Sequence, residues 1–326
     1  MLITPNSVDV VTVTYGERWN YLKKVIKQVE RFDEVNSIIV VDNASTYSVR
    51  ERINKELGTL KKNIIVIRSE FNLGSAGGYK KGIQKALEEQ GTLIWLLDDD
   101  NFPNDNAMRS FILAQEELPS SEDIIFCSFR DDREELIKNK GQKLYKNTFF
   151  EFSLYKKIGE YFKKYNQQSE SDKILHCDYV PYGGLLFPKK VIAEVGLPYE
   201  AFYLYVDDID FTYRMTKKGY KIYCIVESVI QDLEKSWFRK EKEPMFLSFF
   251  KADNTYRGLM HIRNRVYFEV NNNKTNSFIY YTNMLVYLIY VFIKYMPKNR
   301  EGFKRYFSIL KAIRLGRKGI LGNEIK

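Results

Sequence analysis

Three consecutive carboxylates, Asp98-Asp99-Asp100, follow the apolar run TLIWLL and precede Asn101-Phe102-Pro103, a turn signal. Carboxylates in such a run repel one another. A cation relieves that repulsion, and hard divalent ions such as Mg²⁺ or Mn²⁺ prefer carboxylate oxygen. Alternate residues at a strand end can face the same side, so Asp98 and Asp100 can share a site. A solvated acidic turn is the plain alternative, and the run alone does not separate the two.

Two further constellations carry chemistry. Asn72-Leu73-Gly74-Ser75-Ala76-Gly77-Gly78 joins an apolar run to a helical pattern. Glycines there let backbone approach a ligand, and a helix N-terminus favours anions. The pattern is neither GxGxxG nor a Walker loop, and a Gly-rich turn opening a helix explains it equally. The second, Tyr205-Val206-Asp207-Asp208-Ile209-Asp210-Phe211, is helix-prone and ends at Arg214. A carboxylate beside a bound cation can take a proton from an attacking hydroxyl. Adjacent residues on a helix point differently, so only one of Asp207 and Asp208 faces a substrate, and the other caps or pairs with Arg214. No nucleophilic Ser or Cys motif is present.

The elements that position these residues read as strands alternating with helices. Val8–Thr14, Ser37–Asp42, Asn63–Ile67 and Thr92–Leu97 are short, apolar, β-branched-rich runs, and 19–32 and 78–89 carry helical spacing. This alternation predicts a doubly wound α/β fold with a mainly parallel sheet, whose ligands bind at the carboxyl ends of the strands. Thr14, Asp42 and Asp98 each sit at such an end. Ile124–Phe129 reads as another strand, and about 131–175 as a charged, partly helical insertion over or beside the site. Helical patterning returns at 208–217 and 254–270. There is no internal repeat.

Composition bounds the rest. Cys127, Cys177 and Cys224 are far apart, which argues against a disulfide scaffold or zinc site and fits a reducing cytoplasm. The first residues lack the pattern of a signal peptide. The net charge is +9, and residues 298–326 hold nine Lys/Arg against two Glu, so +7 of it lies there. That predicts an anionic partner for the tail. Phe278–Met296 is long enough to span a bilayer but is diluted by Asn283, Lys294 and several tyrosines. Phe303, Phe307, Leu310 and Ile313 then form an apolar stripe with Lys and Arg largely off it. An in-plane amphipathic attachment is preferred over a span, with a helical dimer interface as the third reading.

Taken in order, VVDNAS at Asp42, NLGSAGG, the acidic run, YGGLLFPKKVIAEVGLP and YVDDIDFTYR resemble the family 2 glycosyltransferases over about residues 8–240. The resemblance implies the GT-A fold, Rossmann-like, for residues 1–240, followed by a C-terminal helical extension at 241–326. It implies nucleotide-sugar contacts from Thr14, Tyr15, Arg18, Asp42, Asn43, Asn72, Gly74, Gly77, Asp98 and Asp99. It puts Mn²⁺ or Mg²⁺ on Asp100 with Asp98, and the catalytic base at Asp208. Tyr182, Gly183, Gly184 and Asp207 fall on the acceptor side. One departure matters: many members bind metal through a His where this chain has Asp232, and neither His176 nor His261 matches. Asp232 as a replacement ligand and a metal with fewer protein ligands both stay open. Arg263 and Arg265 read equally as pyrophosphate contacts or as packing with ordinary salt bridges.

The implied reaction is inverting sugar transfer from a UDP- or dTDP-sugar to a glycan or lipid-linked glycan in bacterial surface polysaccharide synthesis. UDP-galactofuranose is preferred as donor over dTDP-rhamnose. The expected place is the cytoplasmic face of the cell membrane, on an anionic lipid surface, with C-terminal helices available for a homo-oligomer and no nucleic-acid partner. A nucleotidyltransferase would need a basic Gly-rich loop after the first strand, where VTVTYGERWN stands. A non-catalytic carbohydrate- or lipid-binding module is the alternative of another class.

Overall fold

Val8–Gly16 (β1), Val35–Ser45 (β2), Asn63–Ser69 (β3) and Leu93–Asp98 (β4) are parallel and lie in the order β3-β2-β1-β4. Their register brings Thr14 beside Asp42 and Val13 beside Asp98, so three strand ends meet at one edge. The computed structural model describes residues 2–119, 123–131, 133–154, 173–234 and 244–325. Asn101–Pro103 (β5), Ile124–Arg130 (β6), Ile174–Cys177 (β7), Leu185–Pro188 (β8) and Lys221–Asp232 (β9) complete the sheet. The order continues β4-β8-β6-β9-β5, with β7 also on β9. Only β6–β9 is parallel in this half, so the sheet is mixed rather than mainly parallel. The reversal begins where β8 runs back against β4 after a turn through Gly184, whose φ of 93° suits glycine.

The parallel strands bury both faces, which is why they read as continuous apolar runs. Val8, Val10, Ile38, Val40, Trp95 and Leu97 pack on one side with Leu22, Val25, Ile26 and Val29 of Trp19–Val29 (α1). On the other side, Val11, Ile39, Ile94 and Leu96 pack with Tyr79 and Ile83. These two belong to Gly74–Ala86 (α3), which follows the short Val49–Glu56 (α2). Helix α3 starts at Gly74, four residues before the sequence reading, because Asn72 Oδ1 accepts from the Gly74 N–H at 2.8 Å and organises its first turn. Ala107–Glu117 (α4), Glu134–Lys138 (α5), Val191–Val195 (α6) and Asp207–Lys217 (α7) complete this unit's helices among the described residues. The unit takes in Met1–Lys143, Ser171–Glu200 and Asp207–Glu234.

A second unit takes in Leu144–Glu170, Ala201–Val206 and Lys235–Lys326. Residues 144–154 of the stretch read as an insertion belong to it, while 155–172 lie outside the described residues. Its helices are Met245–Lys251 (α8), Tyr256–Phe268 (α9), Ser277–Lys294 (α10) and Gly302–Arg317 (α11). They close on an aromatic core of Phe149, Phe246, Phe249, Phe250, Tyr280 and Tyr295, completed by Ile262, Val266, Ile309 and Ile313. Helix α10 commits Tyr280, Asn283, Leu288 and Val291 to the interior. Asn283 is satisfied there, accepting from Leu154 N–H at 3.0 Å and donating to Asn147 O at 2.8 Å. Tyr203, Tyr205 and Val206 have φ of 61°, 68° and 69°. A β-branched residue there is strained, and the buried Asn264 amide holds the segment by donating to the carbonyls of Phe202, Leu204 and Tyr205.

Candidate active site

The carboxylates at the end of β4 do not stand free; two arginines from distant sequence positions hold them. Arg18, just after β1, donates from Nε to Asp99 at 2.8 Å, meets Asp100 at 3.0 Å and also pairs with Glu234. Its guanidinium lies over the rings of Tyr15 and Tyr21. Arg130, the last residue of β6, donates to Asp98 at 2.8 Å and meets Asp232 at 3.3 Å. Asn101 ties the group together: its amide donates to Asp232 at 2.8 Å, and its carbonyl oxygen accepts from Arg130 and from the Asp98 N–H. Asp232 thus enters the cluster through the β5–β9 register, in which it faces Asn101.

Burial makes this concentration of charge costly. It pushes Asp99 up to about 6, against the pull of Arg18 and the Thr14 hydroxyl, which donates at 2.6 Å. It pushes Asp100 up to about 7, helped by the charges of Asp98 and Asp99. Asp232 is raised as well, by burial first. Tyr79 donates its hydroxyl to Asp98 at 2.7 Å. Among the described residues no three His, Cys, Asp or Glu side chains are gathered at metal-ligating geometry. The donor chemistry nevertheless fits a hard divalent cation: Asp98, Asp100 and Asp232 offer only carboxylate oxygen, and the charge of Asp98 raises the proton affinity of the other two. Neither histidine joins them, since His176 pairs with Lys143 and His261 belongs to the second unit.

The neighbouring strand ends are equally ordered. Asp42, buried at the end of β2, meets Arg68 at 2.7 Å and accepts from the Ser45 N–H. Asn43 donates to Asn72 Oδ1 and to Gly74 O, and its own Oδ1 accepts from the Leu73 N–H. So Asp42, Asn43, Asn72 and Gly74 form one connected wall. The other glycines have a packing reason. A Cβ on Gly77 would stand 2.6 Å from Leu73 Cβ, and one on Gly78 would stand 2.6 Å from Val13. They let α3 lie close on its own first turn and on β1. Gly183, read as part of the acceptor floor, instead lies against the carboxylate cluster, where a Cβ would fall 2.1 Å from Asn101 Oδ1 and 2.3 Å from Arg130. Its neighbour Tyr182 is buried against Tyr79, ring centroids 4.3 Å apart.

Asp207 and Asp208 open α7 and differ as adjacent helical residues must. Asp207 is buried and accepts from the Ser75 hydroxyl at 2.8 Å, so α3 fixes it. Asp208 is half-buried and accepts only from the Ile209 N–H at 2.8 Å among the described residues. Burial raises both carboxyls. Arg214 pairs with Asp210 at 2.9 Å, not with Asp207. Asp208 also lines a cavity of about 180 Å³ with Arg133, Leu136, Gln142, Tyr179, Val180, Pro181 and Ile209. In the second unit, Arg263 donates to the carbonyls of Gly322 and Glu324, and Arg265 pairs with Glu269. Packing, the second reading of those arginines, accounts for both.

Arg130 and Gly183 were missed as members of the acidic cluster. Arg130 carries no local motif; the one available signal is an arginine closing an apolar strand.

Comparison with known proteins agrees with this fold. The profile of Glycosyl transferase family 2 matches residues 9–181. An uncharacterized glycosyltransferase of Methanocaldococcus jannaschii is 24% identical over 87% of this chain and 88% of its own length. A galactofuranosyltransferase of Mycolicibacterium smegmatis is 23% identical over 65% of this chain and 66% of its own. The solved structure of GalNAc-T7 with UDP, GalNAc and Mn²⁺ superposes with a TM-score of 0.56 at 13% identity, covering 82% of this chain and 51% of that one. A mannosyltransferase of Pyrobaculum calidifontis in complex with GDP-Man and Mn²⁺ gives 0.54 at 12% identity, covering 96% and 77%.

Proposed function

Because this chain belongs to glycosyl transferase family 2 and is a glycosyltransferase of the GT-A fold, we propose that it is an inverting, metal-dependent enzyme with Asp208 as its base. The observation that carries this reading is the contrast within α7. Asp207 is pinned by Ser75, whereas Asp208 keeps an accepting edge on a cavity. A general base needs that edge.

Asp98, Asp100 and Asp232 would hold Mn²⁺ or Mg²⁺. The cation supplies charge neutralisation to the leaving nucleoside diphosphate. Thr14, Tyr15, Asp42, Asn43, Asn72 and Gly74, with Asp99, form the donor wall. The acceptor hydroxyl gives its proton to Asp208 as its oxygen bonds to the anomeric carbon. The bond from that carbon to the diphosphate breaks with its electron pair on the departing oxygen, so configuration inverts. Arg18 and Arg130 balance the carboxylates and hold their geometry, and positioning supplies much of the rate.

The preferred donor is UDP-galactofuranose, supported by the NLGSAGG, acidic-run and Asp-Asp combination and by the similarity to a galactofuranosyltransferase. The acceptor is a glycan or lipid-linked glycan of surface polysaccharide assembly. The second unit supports a place on the inner face of the membrane. Ile289, Ile293, Phe303 and Phe307 are exposed, and Phe292 stands 6.1 Å from Phe303, joining α10 and α11 into one apolar patch. Lys294, Lys304, Lys311 and Arg314 are exposed on the same two helices, which suits anionic lipid. Helix α10 is the one described helix long and apolar enough to cross a membrane, but its buried face and Asn283 belong to the second unit's core. That favours lying on the surface over spanning.

A panel of nucleotide sugars tested by thermal shift with Mn²⁺ checks the donor, because a ligand that binds only the folded state raises Tm. The expected result is the largest shift with UDP-galactofuranose. A shift with dTDP-rhamnose and none with UDP-sugars would overturn that preference.

A further inference from the structure

The cavity beside Asp208 contains a positive charge that the reaction so far leaves unused. Arg133 follows β6 and lines the same 180 Å³ space as Asp208, Gln142 and Tyr179. Gln142 donates to the Tyr179 hydroxyl at 2.7 Å, and Asp208, whose Oδ1 accepts from the Ile209 N–H, makes no ion pair with Arg133. Arg133 itself is half-buried and makes no side-chain hydrogen bond or ion pair among the described residues. Arg18 and Arg130 are different, for each spans two or more carboxylates. Holding a guanidinium partly out of water without a hydrogen-bonded counter-ion costs desolvation that the more distant carboxylates of Asp208 and Asp232 offset only in part. An anion arriving with a ligand would offset it, and a guanidinium is shaped for two-point contact with phosphate or carboxylate.

We infer that Arg133 binds an anionic group, phosphate or carboxylate, on the acceptor close to the hydroxyl that is glycosylated. The inference rests on the reading of Asp208 as the base, since that reading makes this cavity the acceptor's. Burial and the nearby Arg130 lower the proton affinity of Arg133, and an arginine guanidinium nonetheless remains a cation in proteins. Arg133 also draws Asp208 toward its ionised form. A residue serving only that purpose would leave the choice of acceptor untouched, which separates the two roles.

The test uses the full chain with saturating UDP and Mn²⁺, so that the donor's own phosphate sites are taken. Glucose 1-phosphate, glucuronate and methyl glucoside are titrated calorimetrically. At least one anionic sugar is expected to bind about tenfold or more tightly than the neutral glucoside. A greater affinity for the phosphate or for the carboxylate says which anion is read. Arg133→Gln should abolish that preference while leaving UDP affinity unchanged, and Arg133→Lys should keep part of it. Should Arg133→Gln fold poorly by circular dichroism, the Lys variant carries the comparison. Equal binding of neutral and anionic sugars, no binding of either anion, or a preference that survives Arg133→Gln would overturn the inference. Asp208→Asn should retain the anionic preference. If it also turns over donor like wild type, the base assignment fails separately.

Discussion

Both units bury arginine, and they use it differently. In the first unit Arg18 and Arg130 meet carboxylates that carry formal charge and crowd one another. In the second, Arg263 donates to the carbonyls of Gly322 and Glu324, and Arg305 to those of Phe249, Phe250 and Ala252. A carbonyl has no other use, so the second pair ties chain segments together. A carboxylate can change partners, so the first pair guards groups that a cation and a diphosphate can claim. Arg265 of the second unit meets one buried carboxylate, Glu269, so what distinguishes the first pair is crowding: each of its arginines meets two or more carboxylates.

The largest effect should come from the first unit. Asp100→Asn is expected to lower sugar transfer by about 10³-fold, with the fold intact, because charge stabilisation of the leaving group is lost. Steady-state rates with unchanged circular dichroism check it. If Asp100→Asn mainly lowers Tm, the carboxylate belongs to the structural class and the contrast breaks. Arg263→Ala is the opposite case. It should cost on the order of 2 kcal/mol in urea unfolding, because the buried Asn264 amide oxygen and the part-buried carbonyls of Gly322 and Glu324 lose their donor.

The apolar patch should respond to Phe303→Ser with Phe307→Ser. Binding to vesicles containing anionic lipid is expected to fall by about tenfold or more, since two exposed aromatic rings leave the interface. Unchanged vesicle binding together with loss of a dimer in sedimentation would instead assign the patch to a second copy of this chain.

The smallest effect is a pH dependence. Asp99 and Asp100 are pushed above the ordinary carboxylate range, to about 6 and about 7. The folded state therefore holds protons more tightly than the unfolded chain. That contribution is complete below about pH 4 and is lost as pH rises through 6 to 7. Without divalent cation, Tm should be a few degrees higher near pH 5 than near pH 8. Added Mn²⁺ should shrink the difference, and a Tm that rises across the interval would remove burial as the dominant influence on these groups.

The strands that position the site were legible because parallel strands covered on both faces must be apolar throughout. Thr14, Asp42 and Asp98 stood out as polar residues ending such runs. Asp232 came within reach only by counting along a resembling family, because its place depends on the β5–β9 register, which no local pattern carries. Strand β9 itself was not read: its register shifts against β6 between Ser128 and Phe129, so its alternation breaks. Helix α2 escaped because only Val49 and Ile53 are buried on it. Gly183 was read through its neighbours as floor, when its lack of a side chain is what lets Asn101 and Arg130 close on the carboxylates.

The most direct test of the account compares donor turnover by wild type and Asp208→Asn, with Mn²⁺ present and UDP-galactofuranose as donor. Wild type is expected to release UDP, and the variant to bind donor normally yet turn it over at least about 10²-fold more slowly. Equal turnover by the two proteins would contradict the assignment of Asp208 as the base.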